Sequence, residues 1–113
     1  RDLIHIKDLF DVIDLQLQAM EKVNGQIFNI GGTRKVSASL MELTAVCQEV
    51  TGNQINIQSI AETRKADIRI YLSDCTKINS LLNWEPKITV HQIMEDIFLW
   101  IKDNEKALKP ILS

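Results

Sequence analysis

The sequence predicts an α/β domain, more closely an α+β lobe in which helices outnumber strands. Apolar residues recur at helical spacing in four stretches of the chain, and three short runs between them are alternating or mostly apolar. Capping residues precede several of the helical stretches. Helices and strands that follow one another in this way are typical of a sheet covered by helices.

Composition limits the classes of protein that this chain can belong to. Its 113 residues suffice for one domain, and 45% apolar with 25% charged residues are usual in globular proteins. The net charge of −2 argues against bulk attraction to nucleic acid or to anionic membranes. No membrane-length apolar run or signal peptide is visible. Because the chain starts at Arg1, we expect it to be part of a longer protein.

The two cysteines predict packed thiols and not a metal site. Cys47 and Cys75 lack CxxC spacing, and the two histidines lie far from them in sequence. Isolated thiols are typical of a reducing compartment, so a cytoplasmic location is expected.

The first predicted helix covers residues 9–23, with Asp8 as its N-cap and Asn24-Gly25 as its end. Its buried face is predicted to contain Leu9, Val12, Ile13, Leu17, Met20 and Val23. Residues 26–30 predict a short strand. The Gly31-Gly32 pair that follows indicates a turn more strongly than a phosphate cradle.

A second helix and a second strand follow. Ser39 and Glu42 form a capping box, and Gly52 ends the helix that it starts. The buried positions predicted in this helix are Leu40, Leu43, Cys47 and Val50. Residues 54–58 alternate between apolar and polar, which predicts a strand with one solvated face.

The stretch 64–74 is predicted to be a strand that carries the working surface. It opens with Arg64, Lys65 and Asp67, and apolar residues then alternate with Arg69 and Tyr71. Arginine is suited to a bidentate hold on phosphate. Two interpretations stay open at this point, a ligand-binding strand and a surface strand with a solvated basic edge.

Two further helices complete the predicted pattern. Asp74 is the predicted cap of a helix over 75–82, Pro86 stops it, and Trp84 is expected to cover the core. A second capping box, formed by Thr89 and Gln92, starts the last helix. Its predicted buried stripe consists of Val90, Ile93, Met94, Ile97 and Ile101, widened by Phe98 and Trp100. Residues 106–113 are expected to form a tail.

Motifs of common catalytic classes are missing from the sequence. There is no GxSxG or GxxxxGK[ST], and Cys75, not lysine, stands four residues after the single tyrosine, Tyr71. The candidate site residues that remain are Arg1, Arg64, Arg69, Asp67 and Asn29. This set fits the binding of an anionic ligand, not its transformation.

Five landmarks, in order, resemble the NAD-dependent nucleotide-sugar epimerases and dehydratases, the extended short-chain dehydrogenase/reductases. Residues 1–8 (RDLIHIKD) resemble the family's RDxxHVxD, and 28–32 (FNIGG) its FNxGG. Residues 39–43 (SLMEL) resemble SLLEL, and 82–87 (LNWEPK) resemble LGWxPK. Residues 64–74 are similar to RPGDxRxYxSD, and residues 69–74 (RIYLSD) resemble the CDP-paratose (CDP-tyvelose) 2-epimerase branch of the family.

The resemblance implies the C-terminal nucleotide-sugar-binding part of a Rossmann-type enzyme. Residues 1–32 would pack with a Rossmann half and 33–113 would form the substrate lobe. Arg1 and Arg64 would grip the diphosphate or ribose of a nucleotide-diphosphate sugar, with Asp67 as a ribose or loop-ordering partner. NAD would be bound mainly by the N-terminal half, which would also carry the Tyr-x-x-x-Lys pair. The fragment alone is expected to be inactive, and the full-length enzyme to be a homo-oligomer.

The sequence departs from the family at Lys65 and Ala66, which stand where proline and glycine are usual, so a differently bent loop is expected. Three alternatives stay open. One is a non-catalytic nucleotide-sugar-binding module, and another is a 4,6-dehydratase or decarboxylase of the same family. The third is a nucleic-acid-binding domain, which the basic pairs Arg34-Lys35 and Arg64-Lys65 suggest and the acidic balance opposes.

Overall fold

The computed structural model describes residues 1–60 and 66–112. These two ranges form six helices: α1 (Ile6–Gln18), α2 (Met20–Val23), α3 (Leu40–Thr51), α4 (Thr76–Leu82), α5 (Val90–Asp103) and α6 (Glu105–Leu112). Helix α3 packs against α5. In the described ranges, no helix has the length and apolarity needed to cross a membrane.

The predicted strands are wrong for the part of the chain that the structure describes. Residues 26–30, 54–58 and 66–74 contain no strand, and Arg64 and Lys65 lie outside the described residues. Alternation predicts an extended backbone, but a strand also needs a neighbour with which it exchanges ladder hydrogen bonds. Ile55 and Ile57 are exposed instead of facing a core. The predicted α/β character is therefore not visible as a sheet in these residues.

Three extended segments nevertheless pair locally near Arg1. Arg1 and Ala38 exchange two backbone hydrogen bonds of 3.0 Å, and the amide of Leu3 donates to Val36 O at 2.8 Å. An isolated antiparallel bridge joins Asp2 to Ser37 between them. On the other side, the Asp2 amide donates to Tyr71 O at 3.2 Å. Residues 1–3 thus lie between residues 36–38 and the segment around residue 71.

Helix α1 begins earlier than predicted, and its N-cap is His5, not Asp8. The His5 Nδ1 accepts a hydrogen bond from the Lys7 amide at 3.1 Å. The Nε2 atom of the same ring lies 3.2 Å from the Asp96 carboxylate on α5. Because Nδ1 accepts a hydrogen bond, the ring hydrogen is on Nε2, and this N–H can donate a hydrogen bond to the Asp96 carboxylate.

Asp8 lies in the first turn of α1 and is buried. Its Oδ2 accepts hydrogen bonds from the amides of Lys87 and Ile88 at 3.1 and 3.0 Å. A side chain that the sequence presented as a helix cap thus fastens the loop between α4 and α5 to α1. Sequence spacing could not indicate this role, because about eighty residues separate the partners.

The α1 helix has two apolar faces, and the chain covers one of them. Val12 is buried, and Leu9 and Leu15 pack beside it against the core. Another face, continued by the first residue of α2, forms a stripe of exposed side chains, which we call the α1 stripe: Ile6, Phe10, Ile13, Leu17 and Met20. The predicted burial of Ile13, Leu17 and Met20 is therefore wrong within this chain.

Both capping boxes are confirmed. The Ser39 hydroxyl accepts from the Glu42 amide, and the Glu42 carboxylate accepts from the Ser39 amide at 2.8 Å. The Ser39 amide, assisted by the Ser39 side chain, holds the pKa of the exposed Glu42 carboxyl below its ordinary value. Thr89 and Gln92 form the same pair at the start of α5. Gly52 ends α3 in a left-handed conformation, as its position predicts.

The helix α4 begins one residue later than predicted, with Cys75 at its N-cap. The Asp74 carboxylate still covers its first turn, because it accepts from the Thr76 amide at 2.9 Å and from the Thr76 hydroxyl. Asn83, in a left-handed conformation, ends the helix before Pro86. The expected end of this helix is thus confirmed, and Asp74 contributes from just outside it.

The core is small and centres on α1 and α4. Val12, Cys75, Ile78 and Trp84 form its buried cluster, so the prediction that Trp84 covers the core is confirmed. Burial is lower than predicted elsewhere. In α3 no described residue is fully buried, and Leu40 is 81% exposed. In α5 Ile93 is buried as predicted. Three other members of its predicted buried stripe are exposed: Ile97, Trp100 and Ile101. The predicted tail from residue 106 is mostly helix α6.

The Asp8 contacts give a first prediction. Replacing Asp8 with alanine removes the acceptor of two amides, and each buried unpaired group costs about 1–3 kcal/mol. We expect Asp8→Ala to lower the free energy of unfolding by about 2–4 kcal/mol in urea denaturation. Asp14→Ala, on the exposed side of α1, is the control and should change it by less than about 0.5 kcal/mol. Equal effects of the two substitutions would contradict the assigned role of Asp8.

Candidate substrate-binding groove

The Asp2 carboxylate joins the segments that form the candidate site. Its Oδ2 accepts hydrogen bonds from the amides of Thr33 and Ser73, both at 3.1 Å. Thr33 follows the Gly31-Gly32 turn, and Ser73 precedes α4. One side chain thus connects the start of the chain with two segments that are distant in sequence.

The glycine pair is required by close packing around Asp2. A Cβ atom on Gly31 would lie 2.2 Å from the Ser73 Oγ and 2.6 Å from the Asp2 Oδ2. A Cβ atom on Gly32 would lie 1.8 Å from Leu3 O, which is backbone and cannot move aside. The absence of a side chain at both glycines therefore lets other parts of the chain approach this backbone closely.

The environment of Asp2 favours its charged form. Partial burial alone would raise the pKa of the Asp2 carboxyl. The Ser73 hydroxyl and the amides of Ser73 and Thr33 outweigh burial, because they donate to the carboxylate, and they hold the pKa below its ordinary value of 3.8.

A groove of about 520 Å³ opens beside the Asp2 contacts. Arg1, Asp67 and Arg69 line it together with the start of α3. The remaining lining residues are mostly apolar: Leu3, Ala38, Ser39, Leu40, Leu43 and Ile68. The groove therefore combines two arginines and one carboxylate with an apolar wall.

Arg1 crosses from the paired segments to the 67–68 backbone. Its Nη2 lies 2.5 Å from the Asp67 Oδ1 and 3.0 Å from Ile68 O, and its Nε donates to Ile68 O at 3.3 Å. Both side chains of the ion pair are about half exposed, 58% for Arg1 and 50% for Asp67. The pair therefore contributes little to stability but fixes the direction of the guanidinium group.

The structure brings together three of the five candidate residues named from the sequence. Arg1, Asp67 and Arg69 line the groove. Asn29 is exposed and is not among the lining residues; its neighbours Phe28 and Ile30 pack on the core beside α4. Arg64 lies outside the described residues. The role of Asp2 in joining these segments was not predicted from the sequence, although Asp2 directly follows the candidate residue Arg1.

The other cavities offer weaker chemistry. One, of about 260 Å³, contains the surface ion pair between Lys35 and Glu85, which lie 2.9 Å apart. Cys75 borders it, and burial, reinforced by the charges of Asp2 and Asp74, raises the pKa of this thiol, so it stays protonated and unreactive. Among the described residues, no group of three or more candidate side chains is placed to hold a metal ion.

Comparison with protein families identifies the class to which this fold and groove belong. Residues 1–97 match the family model described as GDP-mannose 4,6 dehydratase. The chain belongs to this family of NAD-dependent nucleotide-sugar epimerases and dehydratases, as the five sequence landmarks predict.

Individual relatives agree with this assignment. The chain is similar to a CDP-paratose 2-epimerase of Salmonella typhi, with 28% identity over 88% of the chain and 29% of the relative. It is similar to a probable UDP-arabinose 4-epimerase of Oryza sativa subsp. japonica, with 35% identity over 95% of the chain and 26% of the relative. The chain thus spans less than a third of the length of these relatives.

A solved structure has a similar fold. It is a dTDP-glucose 4,6-dehydratase from Bacillus anthracis in complex with NAD, with a TM-score of 0.74 and 25% identity. The match covers 97% of this chain and 33% of the dehydratase chain. The predicted similarity to part of a Rossmann-type enzyme is confirmed by this match, although the described residues contain no strand.

The lowered pKa of Asp2 predicts how stability depends on pH. A carboxyl whose pKa is lower in the folded protein stabilises it above the unfolded pKa of about 4, and this contribution is lost as the pH falls through the folded pKa. We expect Asp2→Asn to be less stable than the unmodified protein at pH 7 and the difference to shrink below about pH 4. Thermal unfolding of both proteins between pH 2 and 7 measures this stability difference. A difference that stays constant across that range would contradict the lowered pKa of Asp2.

Proposed function

We propose that this chain forms the nucleotide-sugar-binding lobe of an NAD-dependent epimerase that acts on a nucleotide-diphosphate sugar. The observation that carries the proposal is the groove in which Arg1 and Arg69 lie together beside the start of α3, in a chain of this family. CDP-paratose 2-epimerase is the preferred activity, since a relative of that name is among the matches.

The chemistry of the groove supports a diphosphate ligand. Two arginines and one carboxylate give its lining residues a net positive charge. Charge-assisted bonds from guanidinium groups to phosphate are among the stronger polar contacts in proteins. The apolar wall formed by Leu3, Leu40 and Leu43 offers a surface for the less polar part of a nucleotide. Arg64 and Asn29 are added to the proposed binding set on the sequence resemblance.

The cofactor and the catalytic groups are proposed to lie outside these 113 residues. NAD would accept a hydride from the sugar and return it, with a tyrosine of lowered pKa as the base. The matched dehydratase structure contains NAD, which supports the same cofactor here. By this proposal the 113 residues alone are inactive, whereas the complete protein is a cytoplasmic, homo-oligomeric isomerase.

The α1 stripe supports the proposed division of the chain. Its five large apolar side chains are exposed, and an apolar patch of this kind indicates an interface. We propose that residues 1–32 pack through it against the Rossmann half of the complete protein, with residues 33–113 as the substrate lobe. The chain matches only a third of the dehydratase chain, which is in keeping with a Rossmann half elsewhere in the complete protein.

A 4,6-dehydratase is the second candidate, because both the family description and the solved structure name dehydratases. A dehydratase product has lost one water, whereas an epimerase product keeps the mass of its substrate. Mass spectrometry of nucleotide sugars incubated with the complete protein and NAD distinguishes the two. Absence of any turnover would instead favour a non-catalytic binding module.

The proposal predicts that the arginines of the groove dominate ligand affinity. In the complete protein, Arg1→Ala, Arg69→Ala and Arg64→Ala should each weaken nucleotide-sugar binding at least about tenfold, or about 1.4 kcal/mol, in titration calorimetry. Arg34→Ala is the matched control, since Arg34 is exposed and does not line the groove. Unchanged affinity in the groove variants would remove those residues from the site.

The proposed interface predicts an effect of Phe10, a member of the α1 stripe. Phe10 is 66% exposed in this chain, so its truncation should be nearly neutral unless another part of the protein covers it. In the complete protein we expect Phe10→Ala to cost about 3–5 kcal/mol of unfolding free energy. Lys7→Ala, on the polar side of the same helix, should stay within about 0.5 kcal/mol. A neutral Phe10→Ala would argue against the interface.

A further inference from the structure

The role of Asp67 can be deduced from how it holds Arg1. The Arg1 backbone is fixed by its two bonds to Ala38, so its position along the groove is set. Its long side chain would otherwise populate many rotamers, because more than half of its surface is exposed. The Asp67 carboxylate and the Ile68 carbonyl remove that freedom.

The contacts of Arg1 use the Nε and Nη2 atoms of its guanidinium group. Arginine has five N–H donors in a planar fork. Among the described residues, Ile68 O accepts from Nε and Nη2, Asp67 Oδ1 accepts from Nη2, and Nη1 makes no hydrogen bond. The two N–H groups of Nη1 remain, and they can donate to the oxygens of a phosphate group. Asp67 and an anionic ligand therefore do not need the same donors.

We propose that Asp67 is a positioning residue that orients Arg1 toward the diphosphate of the ligand. This inference rests on the proposed function, because it assigns a role within the same groove. The carboxylate also carries a negative charge near the phosphates, which opposes binding. The orienting effect outweighs it, because the solvent-exposed groove screens the repulsion.

Two substitutions separate geometry from charge. Asparagine at position 67 keeps an oxygen that can accept from Arg1, whereas alanine removes it. In the complete protein, measured by titration calorimetry with CDP or UDP, whichever binds more tightly, Asp67→Ala should weaken binding about fivefold. Asp67→Asn should stay within about twofold of the unmodified protein. Glu85→Ala is the control, since Glu85 belongs to an equally exposed ion pair outside the groove.

Two further measurements test whether Asp67 acts through Arg1. In an Arg1→Ala background, Asp67→Ala should have no additional effect. With the 2′,3′-dideoxy form of the same nucleotide diphosphate, the fivefold effect should persist. Additive effects, loss of the effect without ribose hydroxyls, or tighter binding by Asp67→Ala would each overturn the inference and leave the proposed function intact. Failure of the unmodified protein to bind either nucleotide would overturn the proposed function and this inference together.

Discussion

The contacts of the Asp2 carboxylate are the constraint on which the rest of the structure depends. Asp2 accepts from Thr33 and Ser73, and its own amide donates to Tyr71, so one residue joins three parts of the chain. The absence of side chains at Gly31 and Gly32 lets these parts approach, because a single methyl group there would overlap with Leu3 O or the Ser73 hydroxyl. The groove exists because these segments meet beside Arg1.

Local and long-range interactions contribute differently to this fold. The helices start and end where their capping residues stand, since Ser39, Thr89 and Gly52 satisfy the free amides or admit the left-handed turn. Their arrangement depends on a few buried contacts, among them Asp8 with the amides of Lys87 and Ile88. The small core around Trp84 and Ile78 supports one side of α1 and leaves the other side uncovered. A chain with so many exposed apolar residues is well suited to pack against further protein.

The groove illustrates how an exposed ion pair can matter without stabilising a protein. Lys35–Glu85 and Arg1–Asp67 have similar exposure and short distances, and neither is expected to contribute much to folding. They differ in location, since Arg1 and Asp67 line the groove together with Arg69, whereas Lys35 and Glu85 line a different, smaller cavity. By the proposed role of Asp67, the Arg1–Asp67 pair matters because it sets the direction of a guanidinium group in the groove.

The sequence by itself determined the capping boxes, the end of α4 before Pro86, the burial of Trp84 and the family, because these depend on local residue types and ordered motifs. It also named Arg1, Asp67 and Arg69 as candidates. Only the tertiary structure decided that Asp8 holds a distant loop, that His5 caps α1 and that Asp2 joins three segments. It also showed that the described residues of the predicted strands form no ladder of hydrogen bonds. Alternation of side chains is a local property, whereas ladder pairing and burial depend on which distant segment lies alongside.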